Sequence, residues 1–135
     1  MIDQVLYIDD DPTAQLIFRL ANSKASFAKE VRTASNGQMA LDYYHQLAVE
    51  QGTDVYPHLV FLDLDMPVMG GYEFLDQFVE QYYERFPHTR VMIISSSVNP
   101  SDRQKARQYP CVVDFISKPI TVEFLTAMIP VLDKP

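Results

Sequence analysis

The stretch Val5-Leu6-Tyr7-Ile8-Asp9-Asp10-Asp11-Pro12 places a strand ending directly against a helix beginning. Val5–Ile8 is a continuous apolar run, the pattern of a strand covered on both faces, as in a parallel sheet. Asp11 before Pro12 is an N-cap followed by proline at the first helical position. Ala14, Ile17, Phe18 and Ala21 then recur at i, i+3, i+4 and i+7, which predicts a helix with those residues inward. The three aspartates interrupt the two elements with more acid than a turn requires.

The same unit recurs outward along the chain. Further runs lie at Glu30–Ala34, Leu59–Leu62, Val91–Ile94 and Val112–Ile116. Glu30–Ala34 alternates apolar with polar, which suits an edge strand. Asn36 can cap a second helix in which Ala40, Tyr44, Leu47 and Ala48 share a face. Gly71 opens a third, with Phe74, Leu75, Phe78, Tyr82 and Phe86 inward. Asn99-Pro100 starts a fourth, and Thr121 a fifth with Val122, Leu125, Met128, Ile129 and Leu132. Strand and helix alternate five times, so the chain reads as an α/β fold with a parallel sheet and right-handed crossovers. Five strands fit the flavodoxin-like, doubly wound order 2-1-3-4-5 with five flanking helices. Glu50–Pro57 reads as a polar loop, and the last helix ends within Pro130–Pro135. One domain is expected over residues 1–135, with no output domain. The fourth helix, Ser101–Tyr109, offers only Ala106 and Tyr109 as apolar groups beside Arg103, Lys105 and Arg107. Helices owe most of their stability to a packed apolar face, so this one is expected to be loosely held.

Eleven basic against 18 acidic residues give a formal charge of −7, and 47% of the chain is hydrophobic. That balance provides a full core and argues against a general DNA-binding or membrane-surface protein, which would show a basic patch. The single cysteine, Cys111, excludes a disulfide within the chain, and no metal-ligand spacing of cysteine and histidine exists. His45, His58 and His88 fall at unrelated places. No run reaches signal-peptide or transmembrane form, so a cytoplasmic protein is expected.

In an open doubly wound sheet, ligands bind beyond the carboxyl ends of the strands, where the strand order reverses. For the order 2-1-3-4-5 that crevice lies between strands one and three. Strand one ends in Asp9-Asp10-Asp11, and strand three in Asp63-Leu64-Asp65. Strand four ends in Ser95-Ser96-Ser97, and strand five in Ser117-Lys118-Pro119. Asp11 reads as the helix cap rather than a ligand. The remaining carboxylates repel one another, and one lysine cannot balance them. A hard divalent cation can: Mg2+ takes octahedral oxygen ligands, one or two of them carboxylates, and keeps several waters. A carboxylate can act as nucleophile toward phosphorus and form an acyl phosphate, while a cation and a lysine stabilise charge on the transferring group.

These residues resemble the receiver domain of two-component response regulators. The resemblance runs through Val5–Pro12, Phe61–Gly71 with its LD-x-x-MP-x-M-x-G pattern, Ile94-Ser95-Ser96, and Phe115-Ile116-Ser117-Lys118-Pro119. It implies a phosphorylation-activated switch in which Asp63 accepts a phosphoryl group from a histidine kinase or phosphotransfer protein. It implies Mg2+ bound by Asp10 directly, Asp9 mainly through water, Asp63, and the Asp65 backbone carbonyl. Lys118 would pair with phosphoryl oxygens, beside Ser95 and Ser96. Ser95 would be the switch hydroxyl and Phe115 the switch aromatic, turning inward as the surface of helix four, strand five and helix five changes. Pro67 and Gly71 would shape the turn after the acceptor, and Pro119 would follow a cis bond. A downstream protein would read the changed surface. The implied chemistry is confined to self-phosphorylation and dephosphorylation, not an enzyme's turnover.

Four positions depart from the family's commoner residues. Ser95 stands for threonine and keeps the hydroxyl. Phe115 stands for tyrosine and brings no hydroxyl to a partner. Gly70 stands where an acid is common and should loosen the turn. Asp65 adds a carboxylate beside the acceptor, where it could orient water. Three other readings compete. Asp63-Leu64-Asp65 also resembles the D-x-D of haloacid-dehalogenase-like phosphatases, but that motif usually lies on the first strand. A flavodoxin would need a Ser/Thr- and Gly-rich phosphate loop where this chain has three aspartates. A receiver-fold binding module independent of phosphorylation would leave Asp63 replaceable by asparagine.

Overall fold

The structure, a computed structural model, describes residues 2–50, 55–96 and 99–132. Ser97, part of the Glu50–Pro57 loop and the end of the Pro130–Pro135 segment lie outside them. The elements run β1 Ile2–Ile8, α1 Pro12–Ala25, β2 Ala28–Ala34, α2 Gly37–Val49, β3 Leu59–Asp63, α3 Gly71–Gln81, β4 Arg90–Ser95, α4 Pro100–Ala106, β5 Val112–Ser117 and α5 Val122–Leu132. All strand pairs are parallel and the order is β2-β1-β3-β4-β5. This is the flavodoxin-like arrangement expected from the alternating pattern. No helix among the described residues is long and apolar enough to cross a membrane.

Side-chain alternation divides the core into two halves. Leu6, Ile8, Val60 and Leu62 face α2 and α3, packing with Tyr44, Phe74 and Phe78. Val5, Tyr7, Leu59 and Phe61 face the other way, toward Phe18 of α1 and Leu125 of α5. Asp9 and Asp63 continue the parity of Tyr7 and Phe61 at the carboxyl ends of their strands.

The capping signals are realised. The Asp11 carboxylate accepts from the Thr13 N–H at 2.9 Å, Asn36 from Met39, and Asn99 from Asp102. Five details differ from the expected pattern, the first being that β1 starts three residues early, at Ile2. In α1 the inward stripe is Phe18, Ala21 and Asn22, while Ile17 is 46% exposed beside exposed Leu16 and Leu20. The large Phe18 ring decides the rotation, because it stacks on Tyr7 with centroids 4.5 Å apart. Strand β2 starts two residues early, at Ala28, because the Asn22 amide pairs with the Ala28 backbone in both directions, at 2.8 and 3.1 Å. Helix α3 stops at Gln81, leaving Phe86 buried beyond it. Helix α4 stops at Ala106, so Tyr109 lies in the turn that leads to β5.

Candidate functional site

The strand ends converge on one rim. Ligand atoms of Asp9, Asp10 and Asp63 all lie within 4.8 Å of one another, a group that could hold a metal ion. Asp9 and Asp63 are buried and Asp10 is exposed. The backbone fixes Asp9 firmly. Its N–H donates to the Ala34 carbonyl, and its own carbonyl accepts from Gln15 Nε2 at 2.7 Å. Its side chain takes three donors: the Asp11 N–H to Oδ1 at 3.0 Å, and the Tyr7 hydroxyl and Lys118 Nζ to Oδ2 at 3.1 and 2.8 Å. Lys118 also lies 3.4 Å from Asp63 Oδ2, so its one charge bridges two carboxylates.

The electrostatics follow from the crowding. Burial pushes the Asp63 carboxyl up to about 6; Lys118 and the Asp65 backbone N–H oppose the rise, and Asp9 adds to it. Burial alone would lower the Lys118 ammonium, but Asp9 and Asp63 outweigh it and raise it above the usual lysine range. Burial, then Asp9, raises the Tyr7 phenol, which therefore keeps its proton and donates. A site with three carboxylates and one lysine is short of positive charge. The donor set consists of hard oxygens, which fits Mg2+ or a similar cation and gives no soft ligand for a thiophilic metal.

The other expected residues arrive at the same rim. Ser95 is buried at the end of β4, and its carbonyl accepts from the Lys118 N–H at 2.8 Å. That bond ties the end of β4 to the end of β5 that carries the lysine. Ser96 is exposed just beyond. The Lys118–Pro119 bond is cis. Gly71 sits against Asp63: a Cβ there would lie 2.7 Å from the Asp63 carbonyl oxygen and 2.9 Å from Leu64 Cα. Its N–H donates to the Leu64 carbonyl at 3.0 Å, so α3 begins in contact with the peptide that follows Asp63. Gly70 caps α3 without a side-chain hydrogen bond. Pro67 and Met69 close a tight turn around Val68, whose φ is 67°. Asp65 is exposed beside the rim.

Phe115 is buried at 6% exposure, with the Arg103 guanidinium 5.6 Å from its ring centroid, so in this structure the ring already lies inward. It belongs to the same buried cluster as Ala106 and Ile93, its neighbour across the β4–β5 ladder. Sequence reasoning also missed Tyr7, which looked like one more apolar strand residue. The i, i+2 spacing of Tyr7 and Asp9 was the available signal, since it puts both on one face. Away from the rim, the His58 and His88 rings lie 5.8 Å apart at the amino end of β3, a meeting of residues that the sequence separates.

A flavodoxin-like sheet with an acidic crevice at its switch point and a lysine across it defines a class: doubly wound α/β proteins whose ligand crevice is lined by carboxylates. The comparisons narrow that class. The family model described as response regulator receiver domain matches residues 5–130, and the chain belongs to this family. It is 30% identical over 133 residues to the chemotaxis protein CheV3 of Helicobacter pylori, covering 97% of this chain and 41% of that protein. The chain thus spans less than half the length of that relative. A two-component response regulator from Cytophaga hutchinsonii superposes with a TM-score of 0.86 at 27% identity, covering 98% of each chain. Chemotaxis protein CheY4 of Vibrio cholerae shares the fold, with a TM-score of 0.77 at 21% identity over 97% of this chain and 98% of that one.

Proposed function

We propose that Asp63 is the phosphate acceptor of this receiver domain and that Asp9, Asp10, Asp63 and the Asp65 backbone carbonyl hold Mg2+. The observation that carries this reading is the shared position of Lys118, within 3.4 Å of both Asp9 and Asp63, across a cluster of three carboxylates. When bound, Mg2+ supplies positive charge to the oxygens of the transferring group. An Asp63 carboxylate oxygen attacks phosphorus, the new O–P bond forms, and the bond from phosphorus to the donor breaks with its electron pair leaving on the donor. Lys118 moves from the carboxylates onto a phosphoryl oxygen. Ser95 donates its hydroxyl to another.

The phosphoryl group adds roughly two negative charges and strong acceptor oxygens. Those new acceptors bias Ser95, α4 and β5 toward a second arrangement, for which a gap of a few kcal/mol suffices. The donor is a histidine kinase or phosphotransfer protein, and a protein reading the α4, β5 and α5 surface is the receiver of the signal. Exposure of purified protein to a small phosphodonor tests the chemistry. Labelling to a single plateau with Mg2+, and none with a chelator, is expected. Continuous turnover of a phosphomonoester instead would favour the phosphatase reading.

A further inference from the structure

We infer that Tyr7 is a positioning residue whose hydroxyl takes over Asp9 when Lys118 moves to the phosphoryl group. The inference rests on the phosphate-acceptor reading and concerns a residue that reading leaves out.

Asp9 is fully buried, so beyond the cation and its waters on one side its carboxylate cannot turn to bulk water for a replacement donor. In the present arrangement Oδ2 has two donors, the Lys118 ammonium at 2.8 Å and the Tyr7 hydroxyl at 3.1 Å. Lys118 cannot serve both Asp9 and a phosphoryl oxygen on Asp63 at full strength. Its departure strips Oδ2 of its shorter bond. The Tyr7 hydroxyl stays, because its ring is held from below: it stacks on Phe18 at 4.5 Å and 16°, and meets Phe61 at 6.3 Å. Strand parity fixes the hydroxyl under Asp9, two residues away on the same face. Oδ1 keeps the Asp11 N–H in either state.

The Tyr7 bond is therefore redundant while Lys118 sits on Asp9 and needed once it leaves. A buried acceptor that loses its partner costs more than the partner's net worth when made. The value of Tyr7 falls on the phosphorylated state rather than on the resting fold. The loss also concerns orientation, since a carboxylate held at one oxygen only can rotate away from the cation it helps to hold.

The test uses beryllofluoride, which mimics an acyl phosphate on a carboxylate without turnover, titrated into the whole protein with saturating Mg2+. Binding is followed by amide shifts of Ser95 and Lys118. Tyr7→Phe keeps the ring and its stack on Phe18. It should weaken beryllofluoride binding about tenfold, while the melting temperature of the unliganded protein stays within a few degrees of the parent's. Equal affinity in the two proteins overturns the inference and leaves the acceptor reading intact. So does a melting-temperature loss in the unliganded protein as large as that in the complex, because the bond would then serve the fold alone. A parent protein that binds no beryllofluoride overturns both readings.

Discussion

Asp63 is the residue at which the proposed chemistry and stability oppose one another. Its carboxyl is raised from 3.8 to about 6, chiefly by burial. The folded protein therefore binds that proton more tightly than the unfolded chain does, and ionised Asp63 works against the fold. The cost is absent below pH 4, grows between the two values and is complete above about 6. Asp63→Asn should stabilise the metal-free protein by about 2 kcal/mol at pH 7.5, with the gap closing toward pH 4. Denaturant melts at the two pH values measure it, and saturating Mg2+ should shrink the gap at pH 7.5. Val68 makes a second local opposition. It is a β-branched residue at φ 67° and 81% exposed, in a turn closed by the Met69 N–H donating to the Pro67 carbonyl at 2.7 Å. That conformation is strained for valine, and its side chain repays nothing by burial. Val68→Gly should raise stability by about 1 kcal/mol in the same melts, despite the entropy a glycine adds to the unfolded chain. Asp9, Asp10, Asp63 and Lys118 were legible in the sequence because each follows an apolar run. The strain at Val68 was not, since its φ is set by the closure of a loop whose ends β3 and α3 hold.

At the scale of elements, α4 carries the sharpest difference between composition and structure. Its composition predicts a loosely held helix, and only Ala106 is buried. Two tyrosines nonetheless tie its region to α3. The Tyr72 hydroxyl reaches the Asp102 carbonyl and carboxylate at 3.2 and 3.3 Å, and Lys105 Nζ lies 4.1 Å from the Tyr72 ring centroid. The Tyr109 hydroxyl donates to Asp76 at 2.6 Å, and its ring stacks on Tyr72 with centroids 6.2 Å apart. Polar ties of this kind are individually weak and easily broken, which suits the part that moves in the proposed switch. Tyr72→Phe removes two of these bonds and keeps the ring. Amide hydrogen exchange in Arg103–Ala106 should then rise several-fold, with global stability lowered by about 1 kcal/mol or less. Unchanged exchange there would show that the tyrosine does not hold the helix. Helix existence and order were legible because caps and proline mark every start except that of α3, which opens at glycine. The α1 face and the end of α4 were not, because a neighbouring ring and a turn, rather than the helix's own period, decide them.

Across the whole molecule, two apolar half-cores clamp one sheet, and the sheet carries the acids to a single edge. The half-core beneath Asp9 and Asp63 is aromatic, with Tyr7, Phe18 and Phe61 in mutual contact and Phe27 against Phe61. It makes a stiff floor for charges that repel. The topology was legible in the alternation of elements, and the topology in turn located the crevice before any distance was known. The sequence could not show which groups share Lys118, or that Phe115 lies buried, since both depend on packing between strands. Phosphorylation with each part removed in turn addresses the central claim. The protein and its Asp63→Asn variant are incubated with a small phosphodonor, with Mg2+ or with chelator, and the labelled position is mapped. Labelling of the parent at Asp63 with Mg2+ only, and no labelling of the variant, is the predicted result. Equal labelling of the variant, or labelling indifferent to Mg2+, would contradict the assignment of Asp63 as a metal-dependent phosphate acceptor.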